Sequence, residues 1–94
     1  MKRIELVFGK GDTRIAGNPY GKEVFKEQVK NKIDYNDLNV IVFPNTIEKI
    51  ASSFVQGFFS EVVAKIGYQK FSQVIKVEAR SEELVEHILQ DLLY

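Results

Sequence analysis

Three stretches of this sequence combine residue types that can do chemistry. The first is rich in glycine: Gly9-Lys10-Gly11-Asp12, then Gly17-Asn18-Pro19-Tyr20-Gly21-Lys22. A phosphate-binding loop needs free backbone amides that open a helix, with a lysine and then a hydroxyl at fixed spacing. Here Gly21-Lys22 is followed by Glu23 instead of Ser or Thr, and Gly17 stands one residue too close. Turn glycines account for the pattern better. A small nucleotide-binding protein or enzyme using this loop is the alternative from another functional class.

The second is His87, the only histidine. A Ser-His-Asp arrangement would have to bring it to Ser52, Ser53 or Ser60, and nothing in the spacing does so. Glu83 and Asp91 lie four residues to either side, so surface pairing with those carboxylates is expected on a helix. No second type of metal ligand accompanies it, and neither a metal nor a cofactor is expected. The third is Ser52-Ser53, between a loop and the start of a strongly apolar helical stretch. Free amides and the helix dipole both welcome negative charge there. A phosphate added to either serine would change the local surface by nearly two charges. The simpler role for one of them is to cap the helix.

The elements that carry these residues alternate. Arg3 to Phe8 has Ile4, Leu6 and Phe8 on one face, the period of a half-buried strand. Gly9, Gly11 and Asp12 end it, and a loop or short extended piece runs through Thr13-Arg14-Ile15-Ala16. Gly17 to Gly21 reads as a dense turn. Val24, Phe25, Val29 and Ile33 then mark one face of a helix, with Asn18 as its cap and Pro19 at its first position. Asn31, Asp34, Asn36, Asp37 and Asn39 form the loop after it.

Val40-Ile41-Val42-Phe43 is a continuous apolar run, as in a central strand covered on both faces. Ile47 and Ile50 follow in a loop, and a helix runs from Ser52 to a stop at Gly67. Val74 to Ala79 returns to strand character. Ser81 caps a last helix with Glu82 and Glu83 in its first turn. Strand, helix, strand, helix, strand, helix argues for a layered α/β domain: a mixed sheet with parallel neighbours, packed against helices. No linker or repeat divides residues 1–94.

Totals narrow the function. A chain of 94 residues has room for one core and little beyond it for a deep cleft. Lys plus Arg equals Asp plus Glu at 13 each, so the basic excess that usually accompanies nucleic-acid binding is missing. Lys22, Lys26, Lys30 and Lys32 are interleaved with Glu23 and Glu27 and read as a solvated helix face. Cysteine is absent, which removes disulfides and thiolate chemistry. The N-terminal apolar stretch is too short for a signal peptide, and no window nears the about 18 apolar residues of a membrane span. A cytoplasmic location without membrane or nucleic-acid partners is expected.

Read together, Val40-Ile41-Val42-Phe43, Ile47-Glu48-Lys49-Ile50-Ala51-Ser52-Ser53-Phe54-Val55-Gln56-Gly57-Phe58-Phe59 and Ile66-Gly67 resemble the STAS-like family of uncharacterised bacterial domains. In that family a central strand leads through a short loop to a Ser-Ser-Phe or Ser-Phe step, then to a Phe- and Leu-rich helix ending in glycine. Thr13-Arg14 and the helix around Gly21 to Val29 are similar to the family's arginine-containing loop and first helix. The likeness extends from Thr13 to Leu93. The wider STAS fold includes anti-sigma factor antagonists, which bind a kinase-type regulator until a serine at the start of this helix is phosphorylated. The antagonists have Asp before the serine and Gly after the pair, where this chain has Ala51 and Phe54.

The resemblance implies a non-enzymatic regulatory module that binds another protein through the Pro44 to Ala51 loop and the start of the second long helix. Ser52 or Ser53 would be its switch. Arg14, Tyr20, Asn45 and Phe54 are the expected partner contacts, since aromatic residues and arginine dominate interface energetics. A phage or mobile-element inhibitor of a host complex is the rival binding role. A homodimer through an uncovered sheet edge or face is compatible with the architecture.

Overall fold

The computed structural model describes residues 1–93. The elements are β1 (Lys2–Glu5), β2 (Arg14–Ile15), α1 (Asn18–Gln28), β3 (Asn39–Val42), β4 (Lys49–Ile50), α2 (Ser52–Val74), β5 (Ile75–Glu78) and α3 (Glu82–Leu93). β1, β3 and β5 form one sheet in that order, and β2 and β4 form a separate two-stranded ladder. Every ladder is parallel. The layered α/β architecture with parallel neighbours is therefore present, and the expected mixed sheet resolves into two separate, wholly parallel sheets.

Ile4, Ile41 and Val77 are in register across the sheet and buried beneath the helices. The opposite face carries Arg3, Val40 and Lys76 in one row and Glu5, Val42 and Glu78 in the next. Val40 is nevertheless only 1% exposed. An Arg3–Glu78 ion pair at 3.0 Å spans this face. Successive right-handed crossovers in one direction put α1 and α2 on the same side of the sheet.

Differences from the periodicity have local causes. β1 stops at Glu5, and the amide side chain of Gln28 then stands in for a strand neighbour. Its Oε1 accepts from the Val7 N–H at 2.7 Å and its Nε2 donates to the Val7 carbonyl at 2.8 Å. Asn39 is not loop but the first residue of the central strand, fully buried. Its amide donates to the carbonyls of Asp34, Asp37 and Val74, and its Oδ1 accepts from the Asp34 N–H. Gly67 does interrupt α2, with φ 76° and ψ 168°, a region open essentially to glycine alone. Helical structure then resumes through Val74 and leads into β5 without a loop.

α1 begins at Asn18, inside the expected turn, with Gly17 and not Asn18 at the cap position and no side-chain cap. The reason is tertiary. The first turn of α1 crosses α2 so closely that a Cβ on Gly21 would stand 2.7 Å from the Phe58 amide nitrogen. Every element contributes to one hydrophobic cluster. All seven phenylalanines join a continuous chain of ring contacts within it, including Phe54 stacked on Phe58 at 5.6 Å between centroids.

Candidate functional site

Arg14, Tyr20, Ser52 and Ser53 lie where the β2–β4 ladder meets the starts of α1 and α2. Its backbone is well tied down. The Thr13 carbonyl accepts from the amides of Glu48 (2.7 Å) and Lys49 (3.2 Å), and the Ile15 carbonyl accepts from Ala51 N–H at 2.9 Å. The Ser53 hydroxyl accepts from Gly17 N–H at 3.0 Å. The stretch from Thr13 to Gly17 is thus fastened to the stretch from Glu48 to Ser53 along its whole length. Ile15 and Ile50 anchor it in the core.

The outward side of that ladder carries charge. Arg14 and Lys49 are register partners, both exposed. Neither forms an ion pair among the described residues. Like charges placed opposite each other repel, so this pair favours an anionic neighbour from outside. Glu48, the residue before Lys49, is also exposed and lies 3.9 Å from Arg80.

The two serines differ. Ser52 is exposed and borders an open hollow of about 540 Å³ shared with Gln56, Gln90 and Asp91. Ser53 is half-buried and committed to Gly17. The helix-capping role expected for one of them is not observed: Ala51 occupies the cap position and no side chain caps the helix. Ser52 is therefore the more accessible of the two hydroxyls.

Among the expected contacts, Arg14 and Asn45 are exposed, and Tyr20 is 38% exposed at the rim. Phe54 is 0% exposed, which overturns its assignment as a contact. It lies among Phe8, Tyr20, Phe43 and Phe58, because the apolar side of α2 extends to its third residue. Tyr20 rests edge-on against Phe54 at 5.6 Å. Burial first, then Asp12, Glu23 and Glu27, raise the Tyr20 pKa above the ordinary tyrosine value.

The other chemistry-bearing stretches separate. Asp12 closes the first glycine turn on itself, its carboxylate accepting from Gly9 N–H at 2.9 Å, so an anion there would meet an acid. Gly21 lies in a helix against α2 and not in a loop. His87 is exposed and forms no ion pair with Glu83 or Asp91, contrary to the expected surface pairing. With Glu48, Lys49, Arg80 and Ser81 it borders an open hollow of about 650 Å³. Ser81 caps α3 as expected, accepting from Leu84 N–H at 3.1 Å. Among the described residues no group of three or more His, Cys, Asp or Glu side chains is placed to hold a metal ion. No helix there is long and apolar enough to cross a membrane.

Lys49 is the candidate residue that sequence reasoning missed. Its signal was tertiary, because only the β2–β4 ladder puts it beside Arg14. Comparison with protein-family profiles, curated proteins and solved structures gives no match.

Proposed function

We propose that this chain is a non-enzymatic regulatory module, STAS-like in type and cytoplasmic, that binds another protein through the surface around Arg14, Asn45, Lys49 and Ser52. The observation that carries the reading is the Arg14–Lys49 pair: two exposed cations held side by side without an acidic partner. Tyr20 supplies a partly exposed aromatic on α1, and the ladder holds Arg14 and Lys49 on backbone that is hydrogen-bonded before any partner binds. Ordering in advance lowers the entropic cost of association. The partner chemistry that fits is an acidic surface, as on a kinase-type regulator or on a host complex blocked by an inhibitor.

Ser52 supplies the control. A phosphate there adds nearly two negative charges three residues from Lys49, which would offset the attraction the cation pair offers an acidic partner. Ser53 is the weaker candidate, since its oxygen already accepts from Gly17.

The test is quantitative capture from the native host, comparing wild type with Arg14→Glu, Lys49→Glu and Ser52→Asp. The expected outcome is one partner with an acidic surface, retained by wild type and lost by all three variants. Capture that is indifferent to all three would refute the reading. Saturable nucleotide binding without a protein partner would favour the small-ligand alternative.

A further inference from the structure

β5 is the last strand of its sheet, with β3 on one side only. In a parallel ladder alternate residues direct their N–H and C=O to opposite sides. The Glu78 carbonyl accepts from Phe43 N–H, so Glu78 and Lys76 face β3. Ile75, Val77 and Ala79 then direct theirs to the open edge. There the Ile75 N–H is taken by the Phe71 carbonyl. This leaves the Ile75 carbonyl, both groups of Val77 and the Ala79 N–H to the edge.

Two open hollows follow this edge between β5 and α3, and Lys76, Val77 and Val85 border both. The one nearer the end of α2 is largely apolar, bordered also by Tyr68, Leu89 and Leu93. α3 carries two apolar rows at four-residue spacing. Leu84, Ile88 and Leu92 enter the core, while Val85 and Leu89 are half-buried and Leu93 is 49% exposed. Tyr68 is 56% exposed beside them. Val85 and Leu89 pack against the rim of the core, and with exposed Leu93 and Tyr68 they leave an apolar strip along the edge that a second body could cover.

We infer that this edge pairs with the same edge of a second copy of the chain, antiparallel, with the two-fold axis at Val77. That register is self-complementary. The two Val77 residues exchange both backbone hydrogen bonds, and Ala79 N–H reaches the Ile75 carbonyl of the copy. Lys76 then lies directly opposite Glu78 of the copy, twice, on the face where Glu78 already meets Arg3. The same axis brings the Val85–Leu89–Leu93 row of each α3 toward its counterpart. Shifting the register by one residue would oppose groups that do not point outward and lose both charge pairs.

Sedimentation equilibrium over a concentration series tests this with the charge pair. Wild type is expected to form a reversible dimer of the 10.8 kDa chain. Lys76→Glu alone and Glu78→Lys alone should each raise the concentration needed for dimerisation by about tenfold, since both cross-strand pairs become like-charged. An equimolar mixture of the two variants should restore wild-type affinity, because each then supplies the charge the other needs. Matching circular dichroism of the variants when dilute confirms that the fold is intact. A monomer up to millimolar concentration would overturn the proposal. So would a dimer that ignores the single substitutions, a mixture that does not recover, or an edge that pairs only with an extended peptide of another protein.

Discussion

Gly57 of α2 lies directly against the backbone of Asn18 in the first turn of α1: a Cβ placed on it would stand 2.8 Å from the Asn18 carbonyl carbon. The neighbour is backbone and cannot rotate away. An exposed helical Gly→Ala change ordinarily stabilises through propensity. Here Gly57→Ala should destabilise by about 2 kcal/mol, or roughly 10 °C in Tm, by forcing the two helices apart. Thermal unfolding checks it, and Gly21→Ala should behave alike. Because α1 begins at this crossing, the Gly17–Ser53 contact should loosen with it, visible as faster amide exchange at Gly17.

Asn39 is the one polar residue that is buried as a whole among the described residues. It joins the Asp34–Asp37 turn to the end of α2 through four hydrogen bonds. Asn39→Ala leaves their partners unmatched and should cost about 2 to 4 kcal/mol. Asn39→Asp should cost at least as much, since it removes the donors and buries a charge. Urea unfolding of the two variants measures both.

The Tyr35 hydroxyl oxygen is buried without a hydrogen-bond partner, while its ring lies 4.4 Å below the Lys65 ammonium. Tyr35→Phe keeps the ring and removes the unmatched group, so it should stabilise by about 1 kcal/mol. Burial, then Glu61, raises the Tyr35 pKa above the ordinary 10.0. The folded state therefore holds this proton more tightly than the unfolded chain. Its contribution is fully present below pH 10.0 and is lost as pH rises through the raised value. The advantage of Tyr35→Phe should widen in alkali, as unfolding curves at neutral pH and above 10.0 would reveal.

Phe54 and Lys49 should separate stability from binding. Phe54→Ala empties the centre of the aromatic chain and should cost about 3 to 5 kcal/mol. Lys49→Ala removes a like-charge contact with Arg14 and should leave stability unchanged or raise it by a few tenths of a kcal/mol, while weakening the proposed partner. Paired melting and capture measurements distinguish the two effects.

Ser53→Ala removes the acceptor for Gly17 N–H and should cost about 1 kcal/mol. Ser52→Ala should be neutral to within about 0.5 kcal/mol, as for other exposed positions. The contrast can be read by denaturant unfolding, and it follows from burial and bonding alone.

Much of the architecture was legible because it rests on local rules. The period of two in Ile4 and Leu6, the unbroken run Val40 to Phe43, the cap at Ser81 and the break at Gly67 are each dictated by neighbours in the chain. Alternating strands and helices then leave few ways to bury the apolar faces, so parallel neighbours follow. Charge balance and the absence of cysteine needed no structure at all.

Tertiary structure decided what depends on residues far apart in sequence. Ile15 and Ile50 form a ladder only because the chain returns to bring them together, and that pairing is what sets Arg14 beside Lys49. Gly21 reads locally as a turn residue, but it lies within α1, where the backbone of Phe54 and Phe58 leaves no room for a side chain. Ser52 and Ser53 are identical in type and adjacent, yet one turns to solvent and the other to Gly17. An apolar residue such as Phe54 has no local mark of whether it faces a partner or the core. The deciding quantity is what packs against it, and that exists only once the chain has folded.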